Sequence, residues 1–255
     1  RRLRAIEARL GVRLFDQTPE GFVTTSAGQD IVEVAERVEN DVLSLEGRVL
    51  GRDAELRGKL RVATMGMLFG AFRGVFASFI MRYPSIELTT TISDTEVSLL
   101  RREADVALRL TNTPPEYLVG RRVGHADFAV YASKALADRV GPNATLDDYP
   151  WIHWDERLGM HWLDQYLAVH APHARIAMRI DVSSRVLHEI VAAGIGVHFL
   201  SCAVGDADPG LVRIGPIEPA FGRDIWLLTL PELRSTSRIR AFMDHVVSIS
   251  ATPPA

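Results

Sequence analysis

The sequence is poor in cysteine and lacks any long apolar run. Cys202 is the only cysteine among the 255 residues, so an intramolecular disulfide is excluded. Because it lies in an apolar stretch, we expect Cys202 to be a small core residue. No apolar run approaches the roughly 18 residues that a membrane span needs, and no signal peptide is recognisable. The protein is therefore predicted to act in the cytoplasm, without a membrane partner.

Neither positive nor negative charge is in large excess. The 29 lysine and arginine residues and the 32 acidic residues leave a net charge of −3. The protein as a whole is not a polycation, so any contact with nucleic acid must be localised. The length suits about two domains, and 47% hydrophobic residues are enough to fill their cores.

Sequence motifs typical of enzymes are missing. Ser201-Cys202 lacks the Gly-x-Ser-x-Gly pattern of a nucleophile elbow, and Gly194-Ile195-Gly196 lacks the third glycine of a dinucleotide-binding loop. Four histidines are separated by 8, 9 and 3 residues, which matches no known metal-ligand spacing: His153, His161, His170 and His173. We therefore predict a protein that is not an enzyme, with no catalytic residue, no metal site and no cofactor.

The N-terminal residues carry the pattern of a basic helix followed by a hairpin. Leu3, Ile6 and Leu10 form an apolar seam at helical spacing, with arginines around it, and Gly11 is suited to end the helix. The segment Thr18-Pro19-Glu20-Gly21 favours a tight turn between two short strands. This order predicts the second half of a winged helix-turn-helix. The alternative is an amphipathic helix with a surface hairpin and no role in nucleic-acid binding.

The segment from Leu3 to Gly28 resembles the LysR-type transcriptional regulators. Its pattern is L-x-x-I-E-x-x-L-G-V-x-L-F-x-x-T-P-x-G-x-x-x-T-x-A-G. It departs from the family at Ala5-Ile6-Glu7, where a hydrophobic residue followed by Leu and Glu is common. Because the sequence opens at Arg1, already inside what would be the recognition helix, we expect the earlier part of the winged helix-turn-helix to lie outside this sequence.

The resemblance implies a three-part architecture. We expect a partial DNA-binding domain at residues 1–25, a dimerising linker helix at 26–50 and an effector-binding domain at 58–255. The effector-binding domain would be a two-lobed α/β fold of type 2 periplasmic-binding-protein architecture. The resemblance further implies a homodimer on double-stranded promoter DNA, and tetramers are usual in the family.

Contacts with DNA are predicted on the basic helix and the wing. The predicted DNA-binding residues are polar side chains of these elements: Arg1, Arg2, Arg4, Arg9, Gln17, Thr18 and Thr24. Gln17 and Glu20 occupy positions where the family commonly has arginine, and five arginines against three acidic residues leave residues 1–25 with a charge of only +2. Since each phosphate contact contributes about 0.9 to the salt dependence of DNA binding, we expect that dependence to be unusually shallow.

Residues 26–50 carry the pattern of one long amphipathic helix. Apolar residues recur every three or four positions, and acidic and polar residues lie off this seam. At about 1.5 Å per residue the helix would be on the order of 35 Å long, which suits a partner helix. We predict dimerisation through the seam, which consists of Ile31, Val34, Val38, Val42, Leu45 and Val49. An ordinary amphipathic core helix is the alternative.

Residues 58–255 alternate between strand and helix patterns, which predicts parallel sheets with helices on their faces. We expect one lobe at about 58–125 and 225–255, and another at about 126–224. In the first lobe we predict strands at Leu60–Thr64, Ile86–Ile92 and Asp105–Leu110, and a helix at Thr95–Arg102. In the second lobe the run around Gly194-Ile195-Gly196 resembles the helix-to-strand turn of LysR effector domains.

Ligands of such α/β folds bind at the carboxyl ends of strands, here in the cleft between the lobes. This rule selects residues that follow strands or precede helices: Thr64, Met65, Gly66, Met67, Ser93, Asp94, Arg109, Asp155, Ser183, Ser184, Val197 and His198. Because the free amides of a helix N-terminus favour an anion, we expect a small anionic effector at Met65 to Met67.

Other roles stay open for some of these residues. Ser183 or Ser184 would also serve as the N-cap of a helix. Arg109 would also pair with a structural acid, and Met65 and Met67 would also serve in packing.

A solute-binding protein of a transport system has the same two-lobed architecture. It would account equally well for residues 58–255, but it does not account for residues 1–50 and does not require a dimerising helix. We therefore predict a transcriptional regulator whose DNA binding or activation is modulated by a small-molecule effector, with a solute-binding protein as the alternative.

Overall fold

The computed structural model describes residues 2–18, 21–32, 34–35, 38, 42, 56–94, 97–158, 161–181 and 184–250. The predictions for Arg1, Leu45, Val49 and Ser183 lie outside the described residues. The chain divides into two compact units, Arg1–Leu56 and Arg57–Ala255.

The first unit contains a helix, a hairpin and a further helical segment. Helix α1 (Arg2–Leu10) is followed by Gly11, whose φ of 69° is the left-handed conformation common after a helix. Strands β1 (Phe15–Thr18) and β2 (Gly21–Thr24) pair antiparallel. Residues 26–32, 34–35, 38 and 42 are helical. The order of helix and hairpin is the one that the sequence predicts.

Residues of the N-terminal motif connect these elements. Glu7 on α1 accepts a hydrogen bond through Oε1 from the amide of Leu14 at 2.8 Å. The Thr25 hydroxyl donates a hydrogen bond to Arg13 O. It also accepts one from Gly28 N, and this second bond caps the helical segment that follows. A Cβ on Gly28 would lie 1.9 Å from Leu14 O, so this close approach requires glycine. Several positions of the motif are thus needed for the local fold.

The second unit alternates strands and helices. Its strands are β3 (Gly58–Thr64), β4 (Ile86–Ile92), β5 (Val106–Leu110), β6 (Val119–Ala126), β7 (Phe128–Ser133), β8 (Trp151–Trp154), β9 (Ile176–Ile180), β10 (His198–Ser201), β11 (Leu211–Ile217) and β12 (Arg223–Thr229). Its helices are α2 (Gly66–Arg82), α3 (Lys134–Val140), α4 (Trp162–His170), α5 (Ser184–Ala192), α6 (Cys202–Gly205) and α7 (Ser237–Ser250).

The first sheet has the strand order β4-β3-β5-β12-β6 and forms the first lobe. Strand β3 pairs parallel with both β4 and β5. Strand β12 runs antiparallel to both of its neighbours, so the prediction of a purely parallel sheet is wrong there. It enters from the second lobe, and no strand-helix-strand crossover therefore sets its direction.

Aromatic packing joins the two long helices of the first lobe. Phe79 on α2 and Phe242 on α7 are buried, and their rings meet edge to face with centroids 5.0 Å apart. Ser78 Oγ and His245 Nε2 lie 2.9 Å apart across the same helix pair. These contacts place α2, whose first turn follows β3, in a fixed position.

A three-stranded sheet and a two-stranded sheet form the second lobe. Strand β7 pairs antiparallel with β10 and β11, while β8 pairs parallel with β9. The two ladders meet at Val197, which precedes β10: its amide donates to Pro150 O, and its carbonyl accepts from Ile152 N. This isolated parallel bridge between Trp151 and Val197 links the three-stranded sheet to the two-stranded one.

The helix predicted over Thr95–Arg102 is wrong for the described part of that range, because residues 97–102 form a loop and turns. The amide of Ser98 donates to Glu103 Oε2 at 2.7 Å, and its hydroxyl accepts from Arg101 N at 3.2 Å. Such local bonds from side chain to backbone compete with helical hydrogen bonds. No helix among the described residues is long and apolar enough to cross a membrane.

Candidate functional site

Predicted effector residues from three parallel strands line one cavity of the first lobe, which we call cavity A. The cavity has a volume of about 380 Å³. Its lining includes Thr64, Met65, Ser93, Asp94 and Arg109. These residues converge because the carboxyl ends of β3, β4 and β5 lie at the same edge of the sheet.

Thr64 is the buried polar residue of cavity A. It is the last residue of β3 and is 4% exposed. Its carbonyl accepts from Ser93 N at 3.0 Å, whereas its Oγ1 has no hydrogen-bond partner among the described residues. A buried hydroxyl without a partner lowers the stability of the fold unless another group satisfies it. Thr64 therefore indicates that cavity A receives a polar group.

The N-terminus of α2 follows Thr64 directly. Met65 is the N-cap, with no hydrogen bond from its side chain, and the first turn contains no acidic residue. The first amides of a helix have no intrahelical partner, and the helix dipole favours negative charge there. At 17 residues, α2 is long enough for this effect to be fully developed.

Cavity A also contains charges of both signs. Arg109, on β5, brings a guanidinium group to the cavity and donates a hydrogen bond to the carbonyl of Val97, which also lines it. Asp94 adds a carboxyl group to the same lining. This arrangement can hold a ligand with an anionic group at one end and a hydrogen-bond donor at the other.

A second cavity, cavity B, has a volume of about 340 Å³ and lies mainly in the second lobe. Aromatic side chains form much of its wall: Phe128, Trp154, Trp162, Phe199 and Phe221. The Phe221 ring meets Trp162 and Phe199 at centroid distances of 4.7 and 4.8 Å. Met67 from α2 lies on the side of the first lobe. The aromatic wall suits an apolar, planar part of a ligand. The lining also contains polar side chains, namely His188, His198, Ser201 and Arg223.

His198 is a buried polar residue of cavity B, with an exposure of 1%. Its Nδ1 lies 3.0 Å from Phe199 O, whereas its Nε2 has no hydrogen-bond partner in the described part of the chain. Burial, together with the neighbouring His153, lowers the pKa of His198 to about 4, although the bond to Phe199 opposes this shift. The ring is therefore neutral at neutral pH.

The other predicted effector residues do not line cavity A. Met67 and His198 belong to cavity B. Val197 is fully buried in the core of the second lobe, where its backbone forms the bridge between the two ladders. Gly66 and Ser184 are the first residues of α2 and α5.

Asp155 follows β8 and pairs with a basic side chain. Its Oδ1 accepts from Arg157 Nε at 2.7 Å. This hydrogen bond holds the pKa of the Asp155 carboxyl below its ordinary value. Asp155 thus has a local partner, as it would in a structural role.

The sequence placed Trp154 and Phe199 at strand ends near the predicted cleft, but it did not identify the rest of the aromatic wall of cavity B. Its residues come from β7, β8, α4, β10 and the segment before β12. No sequence spacing connects positions that only the tertiary fold brings together. The fraction of aromatic residues, 7%, gave no signal for such a site.

In the first unit, the predicted DNA-binding residues lie on the helix and the hairpin. Arg9 and Thr24 are exposed. Arg2 and Arg4 lie on α1, and Gln17 and Thr18 lie on β1.

The helical segment after the hairpin exposes apolar side chains. Ile31, Val34, Val38 and Val42 are 38, 46, 57 and 47% exposed. Such a row at intervals of three and four residues is typical of a helix that packs against a partner.

Sequence comparisons match most of this chain. Residues 53–249 match the LysR substrate binding domain family. The HTH-type transcriptional regulator CrgA of Neisseria meningitidis serogroup B is 29% identical over 257 aligned residues, covering 96% of this chain and 85% of CrgA. An HTH-type transcriptional regulator of Xanthomonas campestris pv. campestris is 30% identical over 144 residues, covering 55% of this chain and 41% of that protein.

Solved structures share the fold. The structure of CrgA, a LysR-type transcriptional regulator from Neisseria meningitidis, superposes with a TM-score of 0.67 at 21% identity, over 98% of this chain and 88% of that chain. Full-length CbnR complexed with its target DNA gives a TM-score of 0.55 at 17% identity, over 98% and 88% of the chains. The predicted α/β architecture is confirmed.

Proposed function

We propose a function from one premise: this chain belongs to the LysR family of transcriptional regulators. It is a regulator with an effector-binding domain, and it is not an enzyme. The proposal itself is that a small anionic molecule binds in cavity A and modulates how the protein binds or activates promoter DNA.

The observation that carries this proposal is the buried Thr64 hydroxyl at the start of α2. Its Oγ1 has no partner among the residues that the structure describes, and the helix amides beside it favour an anion. A carboxylate would accept from both the hydroxyl and the amides, and each such hydrogen bond to a charged group is stronger than a neutral one.

Arg109 and Asp94 narrow the kind of effector further. The guanidinium of Arg109 adds positive charge to cavity A, which supports an anionic ligand. The carboxyl group of Asp94 accepts hydrogen bonds, and a ligand that carries only negative charge would be repelled by it. We infer that the effector combines a carboxylate with a hydroxyl or amino group, as small hydroxy acids and amino acids do.

A thermal-shift assay with matched ligand pairs tests this proposal. Lactate and serine, each compared with its amide at equal ionic strength, differ from that partner in the charge of the carboxyl group. We expect the carboxylates to raise the melting temperature and the amides to have a much smaller effect. If only cationic compounds stabilise the protein, the proposal is wrong.

The substitution Thr64→Val tests whether the effector binds in cavity A. This change removes the hydroxyl at nearly constant volume, so we expect ligand affinity to fall about tenfold while the ligand-free protein becomes no less stable. Thr229→Val is the matched control, because Thr229 is equally buried but its Oγ1 donates to Asp105 O at 2.7 Å. That variant should lose stability and keep its affinity. Equal affinities in Thr64→Val and the wild type would exclude cavity A.

We also propose that the exposed seam of residues 26–50 makes a homodimer and that residues 1–25 contribute to DNA binding in the cytoplasm. The exposed valines of the seam support the first part. The family membership supports the second. The related transcriptional regulators do not favour a solute-binding protein, which was the alternative from sequence.

A further inference from the structure

A basic groove lies in the first lobe, away from both cavities, between the edge strand β6 and helix α7. It has a volume of about 210 Å³. Three arginine side chains from separate segments line it, and we call it the arginine groove: Arg121, Arg234 and Arg240. The exposed Asp244 and the buried Met243, both on α7, also belong to its lining. The groove shares no residue with cavity A or cavity B.

The charged groups of the arginine groove are not paired with each other. None of its three guanidinium groups, nor the Asp244 carboxylate, has an ion-pair partner among the residues that the structure describes. The nearby acidic residues pair elsewhere: Asp224 accepts from Arg122 at 2.8 Å, and Glu232 accepts from Arg102 at 3.2 Å. The three guanidinium groups are therefore available to a ligand.

Basic residues also surround the N-terminus of α7, where a helix favours acidic ones. The helix begins at Ser237, and its first turn contains Arg238 and Arg240 but no acidic residue. Because the helix dipole places partial positive charge at this end, basic side chains here lower the stability of the helix. Departures from such local preferences concentrate at functional sites.

We propose that the arginine groove binds the phosphate group of a small phosphate monoester that also carries a hydroxyl group. A phosphate monoester has a charge of about −1.5 to −2 at pH 7 and three strong acceptor oxygens. Three guanidinium groups and one carboxylate give the groove a formal charge of +2, which matches that charge. A guanidinium group donates two parallel hydrogen bonds to a phosphate, which makes arginine well suited to bind it.

Asp244 accounts for the hydroxyl group of the ligand. It lies four residues after Arg240, on the same face of α7. Its carboxylate repels negative charge and accepts hydrogen bonds, so the phosphate would lie against the arginines and a hydroxyl against Asp244. The groove is smaller than the roughly 300 Å³ of pockets for drug-sized molecules, which favours a small ligand. This site goes beyond the proposed function.

Calorimetric titration with three probes at pH 7.5 and equal ionic strength tests the proposal. Glycerol 3-phosphate has both the phosphate monoester and hydroxyl groups, ethyl phosphate lacks the hydroxyls, and dimethyl phosphate is a diester like the backbone of a nucleic acid. We expect ethyl phosphate to bind about threefold and dimethyl phosphate about tenfold more weakly than glycerol 3-phosphate. Equal affinities for glycerol 3-phosphate and either other probe, or no binding of glycerol 3-phosphate, would overturn the proposal.

Substitutions of arginine assign the site. Arg240→Gln should weaken glycerol 3-phosphate binding about tenfold, and the ligand-free variant should be no less stable because the helix N-terminus loses a basic residue. Arg121→Lys keeps the charge but loses the paired donors, so we expect a loss of about threefold. The matched control is Arg73→Gln, because Arg73 is exposed on α2, bonds to Gly70 O at 2.7 Å and lines none of these sites.

Two comparisons decide between the arginine groove and cavity A. Arg73→Gln and Thr64→Val should bind glycerol 3-phosphate as the wild type does, and Arg240→Gln should keep the wild-type affinity for lactate. Equal affinities of Arg240→Gln and Arg73→Gln for glycerol 3-phosphate would exclude the groove. If Thr64→Val alone loses glycerol 3-phosphate, the phosphate binds in cavity A, and this inference fails while the proposed function stands.

Discussion

At the residue scale, the two cavities differ in the buried polar group that each contains. Thr64 presents a hydroxyl beside the amides of a helix N-terminus, and this combination suits an anion. His198 presents a neutral ring nitrogen among aromatic side chains, and this combination suits an uncharged donor. The same kind of observation, a buried atom without a partner, thus predicts different ligand chemistry in different surroundings.

His198 also makes stability depend on pH. Its pKa is lowered by burial to about 4 in the folded protein, from the ordinary histidine value of 6.5. Between these values the unfolded state binds more protons, so acid favours unfolding. We expect the free energy of unfolding to fall by up to about 3 kcal/mol from pH 6.5 to pH 4 because of this group. Urea denaturation at several pH values measures the effect.

Substitution of His198 isolates its contribution to the pH dependence. In His198→Phe the part of the decline due to this ring should be absent, so the stability of the variant relative to the wild type should rise as the pH falls from 6.5 to 4. His173→Phe is the control, because His173 is exposed, and its curve should run parallel to that of the wild type. Parallel curves for His198→Phe and the wild type would contradict the low pKa.

At the scale of elements, the turn between α5 and β10 shows why its glycines are needed. Gly194 has a φ of 74°, which side chains with a Cβ rarely adopt. A Cβ on Gly196 would lie 2.7 Å from Pro150 O and 3.2 Å from Ile152 Cγ1. The second glycine therefore lets the chain approach β8 closely enough for Val197 to join the two ladders.

We expect Gly196→Ala to lower the free energy of unfolding by about 2 kcal/mol, because backbone must move to relieve the clash. Chemical denaturation measures the change. Gly70→Ala on α2 is the control: nothing lies within 4 Å of its Cβ, and alanine favours a helix interior by up to about 1 kcal/mol. A destabilisation in Gly70→Ala equal to that in Gly196→Ala would mean that the close approach to Pro150 is unimportant.

Local patterns predicted much of this fold. The helix and wing, the parallel strands β3 to β5 and the glycine turn follow from hydrophobic spacing and turn residues. Parallel strands also brought five of the predicted effector residues to one cavity. Local patterns gave the wrong structure at residues 97–102, where side chains bond to the backbone instead. They selected only part of cavity B, including Met67 and His198, since its wall unites residues that are distant in sequence.

At the scale of the whole molecule, the net charge of −3 does not show that residues 1–25 are positively charged. Residues 1–25, which we propose to bind DNA, have a local charge of +2, and the second unit contains both cavities. With so little positive charge per copy, we expect DNA affinity to depend on two copies binding together. The shallow salt dependence stays a prediction for the full-length protein.

The seam of the helical segment is where the dimer is expected to form. Val38 is 57% exposed in the isolated chain. If it packs against a second copy, Val38→Asp would bury a charge without a partner, at a cost of several kcal/mol. We expect this variant to sediment as a monomer at concentrations where the wild type is a dimer, with a dissociation constant raised more than about a hundredfold.

Val169→Asp is the matched control for the dimer. Val169 lies on α4 and is 73% exposed, but it does not belong to the seam. This variant should keep the dimer, and both variants should bind the anionic ligand of cavity A as the wild type does, because neither residue lines that cavity. If Val38→Asp remains as dimeric as Val169→Asp, the valine seam does not hold the two copies together. A second copy, with its own positively charged residues 1–25, would then have to associate through another surface.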